Sequence, residues 1–176
     1  VREHPSEHPD LGQLGRHFAG FVRARFGDRP ELGDLATLEW ARAVVFFEAP
    51  ATPIARDALA SIGPERFVSA GMRFVPALRL IKLEHNVVGL WRRLEDGLAP
   101  EARSDEPVAI AVWRPTFEVF HTAVASDEAL ALERAMAGAP LAEVCAAFEG
   151  REAPAEAAFA ALASWLDEGW VAAFDT

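Results

Sequence analysis

Among 176 residues there is one cysteine, Cys145. An internal disulfide and any zinc site built from several cysteines are therefore excluded. Cys145 lies on the apolar face of a segment with helical spacing and reads as a small core residue. No run of eighteen apolar residues occurs, and neither does a signal-peptide pattern, so the chain is expected to be soluble and cytoplasmic. It opens on Val1 rather than Met, so a preceding segment is expected to be missing or removed. Glycine-rich phosphate loops, HExxH, nucleophile motifs and Cys/His clusters are all lacking, which argues against an enzyme. Positive charge is also short. Seventeen Lys and Arg face 27 Asp and Glu, for a net charge of -10. A nucleic-acid binder usually carries a basic footprint, because phosphate contacts supply most of its non-specific affinity. One local basic patch remains open, around Arg73, Arg79, Lys82, Arg92 and Arg93.

What is present is apolar: 51% of the residues are hydrophobic, enough for a packed core. Residues 1–10 are polar and broken by Pro5 and Pro9. His4 and His8 stand four apart there, but the prolines make a helix that would align them for a metal poor. Leu11, Leu14, Phe18, Phe21, Val22 and Phe26 recur at helical spacing, and Gly27 ends that run. Residues 34–49, with Asp34 as cap, form a helix apolar almost all round, of the kind buried between layers or at a partner interface. Within it Glu39 and Arg42 are three apart and can pair on one face. Glu39 as a catalytic acid has no second carboxylate or histidine placed beside it. Residues 54–62 read as a short helix and 67–83 as extended chain on either side of Pro76. Residues 86–95 read as a helix capped by Asn86, with Val87, Leu90, Trp91 and Leu94 inward. Asp96–Pro107 holds glycine, two prolines, charges and little apolar content, and reads as a linker.

After it, VAIAVWRPTFEVFHTAV alternates with period two on both sides of a turn at Arg114–Thr116, a hairpin signal. Three helix-period segments follow. The first covers 127–137, with Ala129, Leu132, Ala135 and Met136 inward and Gly138 as stop. The second covers 141–148, with Leu141, Val144, Cys145 and Phe148. The third covers 155–168, with Ala158, Phe159, Leu162, Trp165 and Leu166 inward and Gly169 as stop. Trp170–Phe174 can return as a short strand. The expected fold is α+β: a helical domain over 1–97, a linker over 98–107, and a small β-β-α-α-α-β domain over 108–176.

That last order resembles the winged-helix module that binds leader peptides in ribosomal peptide maturation. The resemblance rests on the hairpin, ALALERAMAGAPLAEVCAAF and ALASWLDEGWV. Over nearly the whole chain, LATLEWA, the pair PALRL and VVGLW, and VWR followed by helix-Gly-helix are similar to the accessory subunits of bufferin- and methanobactin-type peptide maturation systems. That family was first described as DNA-binding. It normally carries a further N-terminal helical segment, short or absent here, and a proline where this chain has Asn86. The resemblance implies a subunit without chemistry or cofactor of its own. Its partner would be a TIM-barrel enzyme that holds several irons and oxidises cysteines of a precursor peptide, while the subunit grips the leader.

An extended peptide can add to an exposed strand by backbone hydrogen bonds. The strand expected to receive it is Phe117–Thr122, with side-chain pockets from helix 155–168. Expected peptide contacts are Trp113, Arg114, Phe117, Val119, Phe120, His121, Thr122 and Trp165. Trp113 serves equally well as core, Arg114 as a brace for its turn and His121 as a structural histidine. The enzyme-facing surface is placed on Trp40, Arg42, Phe46, Phe47, Arg73 and Arg79, since obligate interfaces are rich in aromatics and arginine. The alternative is a winged-helix transcriptional regulator, which needs a basic recognition helix. Helices 141–148 and 155–168 contain no Lys or Arg.

Overall fold

The computed structural model describes residues 11–100 and 105–175, so the His4/His8 pair lies outside the described residues. A 3-10 segment over Leu11–His17 leads into α1 (Phe18–Arg25) and α2 (Glu31–Phe47). Two single-turn helices follow, α3 (Asp57–Ala60) and α4 (Pro64–Phe67), then β1 (Gly71–Phe74), β2 (Leu78–Leu83) and α5 (Val88–Glu95). The C-terminal part holds β3 (Val108–Trp113), β4 (Phe120–Val124), α6 (Ser126–Met136), α7 (Leu141–Cys145), α8 (Pro154–Asp167) and β5 (Val171–Asp175). The α+β class and the β-β-α-α-α-β order over 108–176 are both present.

The pairing of the strands departs from the expected two-domain division. Antiparallel strands β2-β3-β4 form one sheet, and β1 pairs antiparallel with β5 in a second. Each sheet thus joins a strand from before residue 98 to one from after 107. The returning strand does not rejoin its own hairpin: Met72 faces Phe174 and Arg73 faces Ala173. Composition marks 98–107 as irregular chain, but it carries no information about which strands pair across it.

The reason lies in β3. Its alternate residues serve opposite faces of the sheet. Ile110 and Val112 face a cluster with Leu38, Ala41 and Val45 of α2, Leu83 and Val87. Ala111 and Trp113 join a second cluster with Leu132 and Ala135 of α6, Leu141, Leu162, Trp165 and Val171. α2 packs on β2 and β3, and α6 packs on β1, β2 and β3. The sheet is a middle layer between one helix from each half of the chain.

Helix boundaries follow local chemistry. α2 starts earlier than Asp34, because Pro30 sits just ahead of it with φ -62 and Glu31 and Asp34 both fall in its first turn. The Asn86 side chain accepts the Val88 N–H at 3.2 Å and opens α5. Gly138 and Gly169 end α6 and α8 with φ of 83 and 72, a backbone region that side chains other than glycine's adopt at a cost.

Ile110 is wholly buried between the layers. Ile110→Ala is expected to cost about 2–5 kcal/mol. Urea unfolding followed by both tryptophan fluorescence and circular dichroism should show one shared transition moved to lower denaturant. Two separated transitions would restore the two-domain division.

Candidate functional site

β4 forms an edge of the three-stranded sheet, with β3 on one side and no strand on the other among the described residues. The expected strand Phe117–Thr122 begins later, at Phe120, and the turn before it is longer than Arg114–Thr116. The cause is Val119, which turns toward the α2 cluster, together with a clamp on the chain at that point.

The clamp is Arg42 of α2. Its Nη1 donates to the Val119 carbonyl at 3.0 Å and to His121 Nδ1 at 2.9 Å. The guanidinium carbon stands 4.2 Å from the centroid of the Trp91 ring on α5, a cation–π stack. Trp91 in turn meets the His121 ring edge to face at 4.7 Å and donates its indole N–H to Glu39. Glu39 and Arg42 therefore do not bond each other as their spacing suggested; both are joined to Trp91. Arginine is always a donor, so Nδ1 of His121 accepts and the imidazole proton resides on Nε2. That N–H is buried and meets no acceptor among the described residues. Burial, then the charges of Arg42 and Arg92, hold the His121 pKa down to about 4.

Arg114 braces the other end of α2. It donates to the carbonyls of Val45 at 3.1 Å and Glu48 at 2.7 Å, and to Thr116 in its own turn. The Val45 carbonyl otherwise accepts only a long cap bond from the Glu48 N–H at 3.4 Å, and a cation at the helix C-terminus also complements the helix dipole. Arg114 also lines a cleft of about 460 Å³ with Phe46, Pro50, Pro53, Val75 and Phe117. Phe46 and Phe47 contact edge to face at 5.1 Å, with Phe47 78% and Phe117 91% exposed. An exposed aromatic group of this kind marks a surface that another molecule can cover.

Two of the expected peptide contacts lie in the core instead. Trp165 is wholly buried, donates to Glu128 at 3.0 Å and packs near Phe74 and Trp170. Trp113 is buried between Phe120, at 5.8 Å, and Trp170, at 5.3 Å. The helix that shares a hollow with β4 is α6, through Val124, rather than the expected 155–168. A hollow of about 320 Å³ lies under this end of the sheet, lined by Lys82 and Leu83 of β2, Val108 and Ala109 of β3, Val124 of β4, and Ala129, Leu130 and Glu133 of α6. Phe120 and Thr122 are exposed on that side of the strand.

The expected partner-facing residues scatter. Trp40 is half-buried against Gly15. Arg73 pairs with Asp175, Arg79 with Glu48, and Lys82 with Glu133, so three cations of the possible basic patch are neutralised by carboxylates. Residue spacing did not suggest the Asp34–His85 pair. The buried Asp34 carboxylate accepts from Arg23 at 2.8 Å, from His85 Nδ1 at 2.8 Å and from the His85 backbone N–H at 3.0 Å. Burial alone would raise its pKa, but these partners outweigh it and the pKa is lowered. Among the described residues no cluster of three His, Cys, Asp or Glu could hold a metal ion. No helix there is long and apolar enough to cross a membrane. No known family model matches this chain, and no curated protein is similar to it.

His121 gives a pH dependence with a defined sign. Its folded pKa of about 4 lies below the ordinary 6.5. Between those values the unfolded chain binds a proton that the folded chain excludes, so stability falls as pH drops through that window. The melting temperature should fall from about pH 7 to about pH 4.5, and less steeply in His121→Gln, because that variant lacks the titrating imidazole. Equal slopes in the two proteins would remove His121 as the cause.

Proposed function

We propose that this chain is a non-catalytic accessory subunit of a ribosomal-peptide maturation complex. It grips the leader of a precursor peptide by strand addition to β4 and presents the peptide's cysteines to a multinuclear-iron TIM-barrel enzyme. The observation that carries the reading is the edge of β4, unpaired among the described residues, held by side chains on one face and reached at Val124 by an apolar hollow. Backbone groups at such an edge supply affinity, and neighbouring pockets select alternate side chains. The hollow under Val124 suits one apolar side chain of an added strand. The exposed Phe46, Phe47 and Phe117 suit burial against the enzyme. The regulator reading gains nothing from α7 and α8, which carry no Lys or Arg, or from cations already paired with carboxylates.

Co-expression with the enzyme and a cysteine-containing precursor should yield a stable complex on size exclusion, with iron in the enzyme. Proline substitution tests the edge itself. In an antiparallel strand, alternate residues direct both backbone groups to the same side. Of Thr122 and Ala123, one therefore bonds β3 and the other faces outward. One of Thr122→Pro and Ala123→Pro should damage the hairpin. The other should keep the melting temperature yet weaken precursor binding by about tenfold or more. A chain that ignores both partners and shifts duplex DNA, with affinity falling steeply in salt, would overturn the proposal.

A further inference from the structure

We infer that Arg42 is the positioning residue of the peptide-receiving edge: it fixes β4 in the extended form an incoming strand can pair with. This inference rests on the strand-addition reading above. β4 is five residues long and, among the described residues, pairs with β3 alone. A short edge strand bonded on one side opens easily. Arg42 counters this from the face opposite α6. It holds the carbonyl of Val119, the residue just before the strand, and the ring of His121, the second residue within it.

Its own position is over-determined. On α2, Arg42 follows Leu38 by one turn and precedes Val45 by three residues, and both of those are wholly buried. The guanidinium is thus carried on the inward stripe of the helix. Trp91 then covers its face and sets the plane in which Nη1 points at β4. Trp91 is itself fixed by the bond to Glu39, one turn back on α2. Two elements, α2 and α5, thus hold one face of the first half of β4, and neither Arg42 nor Trp91 belongs to the strand they hold. Lysine does not replace this arrangement, since an ammonium on a flexible stem does not stack as a plane on Trp91 and so leaves the direction of its donors unset.

The test uses the full chain and needs no known ligand. Backbone amide exchange is followed by nuclear magnetic resonance in the wild type, Arg42→Lys and, as a second route to the same contacts, Trp91→Leu. Asp34→Asn serves as a control that weakens α2 far from β4. The Arg114 N–H bonds the Ala77 carbonyl, so the strand registers direct the N–H groups of Ile110 and Val112 at β2 and those of Thr122 and Val124 at β3. The amides of Thr122 and Val124 should exchange about tenfold faster or more in Arg42→Lys and Trp91→Leu, while those of Ile110 and Val112 stay protected. Asp34→Asn should show no such selectivity for β4. Each protein is then used to select from a random peptide library displayed on phage. The wild type and Asp34→Asn should enrich strand-forming peptides, and Arg42→Lys should lose them. Acceleration shared equally by β3 and β4, or absent from both, would overturn the inference and leave Arg42 as an ordinary packing contact. No enrichment on the wild type despite selective exchange would overturn the strand-addition reading instead, so the two failures are distinguishable.

Discussion

The burial of β3 on both faces is the constraint from which the architecture follows. An antiparallel strand with one solvated face can fold with a single partner layer, whereas one apolar on both faces needs two. Ile110 and Val112 demand a layer on one side, Ala111 and Trp113 on the other. α6 follows β4 directly and supplies one. The other comes from α2, some sixty residues earlier in the chain. The two halves are therefore tied by the strand that lies between them, and the second link, β1 with β5, joins the last described strand to the first half of the chain.

α2 is tied down at three heights by polar contacts, each placed where a backbone or charged group would otherwise be unsatisfied. Near its start the Asp34 carboxylate is surrounded by Arg23 and His85. At its end Arg114 takes the Val45 and Glu48 carbonyls, and Glu48 pairs with Arg79 of β2. Between them Arg42 reaches the edge strand. Asp34 and His85 are buried and the other charges partly so. Such pairs add little net stability over well-packed apolar groups, but removing the partner of the buried carboxylate is costly, so they fix geometry. The geometry they fix brings the aromatic pair Phe46–Phe47, the cleft beside Phe117 and the start of β4 to the same end of one helix.

Much of this was legible in the residues. The hairpin, the three later helices with glycine stops on the first and third, and extended chain on either side of Pro76 follow from periodicity and turn chemistry, which are local. Strand partnership is not local. The composition of 98–107 marks a loop and says nothing about β2 pairing with β3 across it. The same limit explains Trp165 and Trp113. A tryptophan on an apolar stripe is equally consistent with a pocket wall and with a core, and only the packing of α8 against Phe74 and Trp170 decides for the core. Arg42 did carry a readable signal. A cation one turn from Leu38 and three residues from Val45 lies on an inward stripe, which outweighs the i, i+3 spacing to Glu39. Its targets, seventy-seven and seventy-nine residues away, could not be read from any pattern along the helix.

An exposed strand edge is a hazard unless something limits what can join it. Here β4 is short, and each copy carries a net charge of -10, so two copies brought edge to edge repel one another. The same repulsion disfavours a polyanion such as duplex DNA. A short extended peptide without strong negative charge meets neither barrier. It needs to satisfy only a few backbone groups along five residues, and it finds apolar surface at Phe120 and beneath Val124 in which to set alternate side chains. On the proposed reading, charge and strand length together favour a small, flexible, heterologous chain over a second copy or a polyanion as the occupant of this edge.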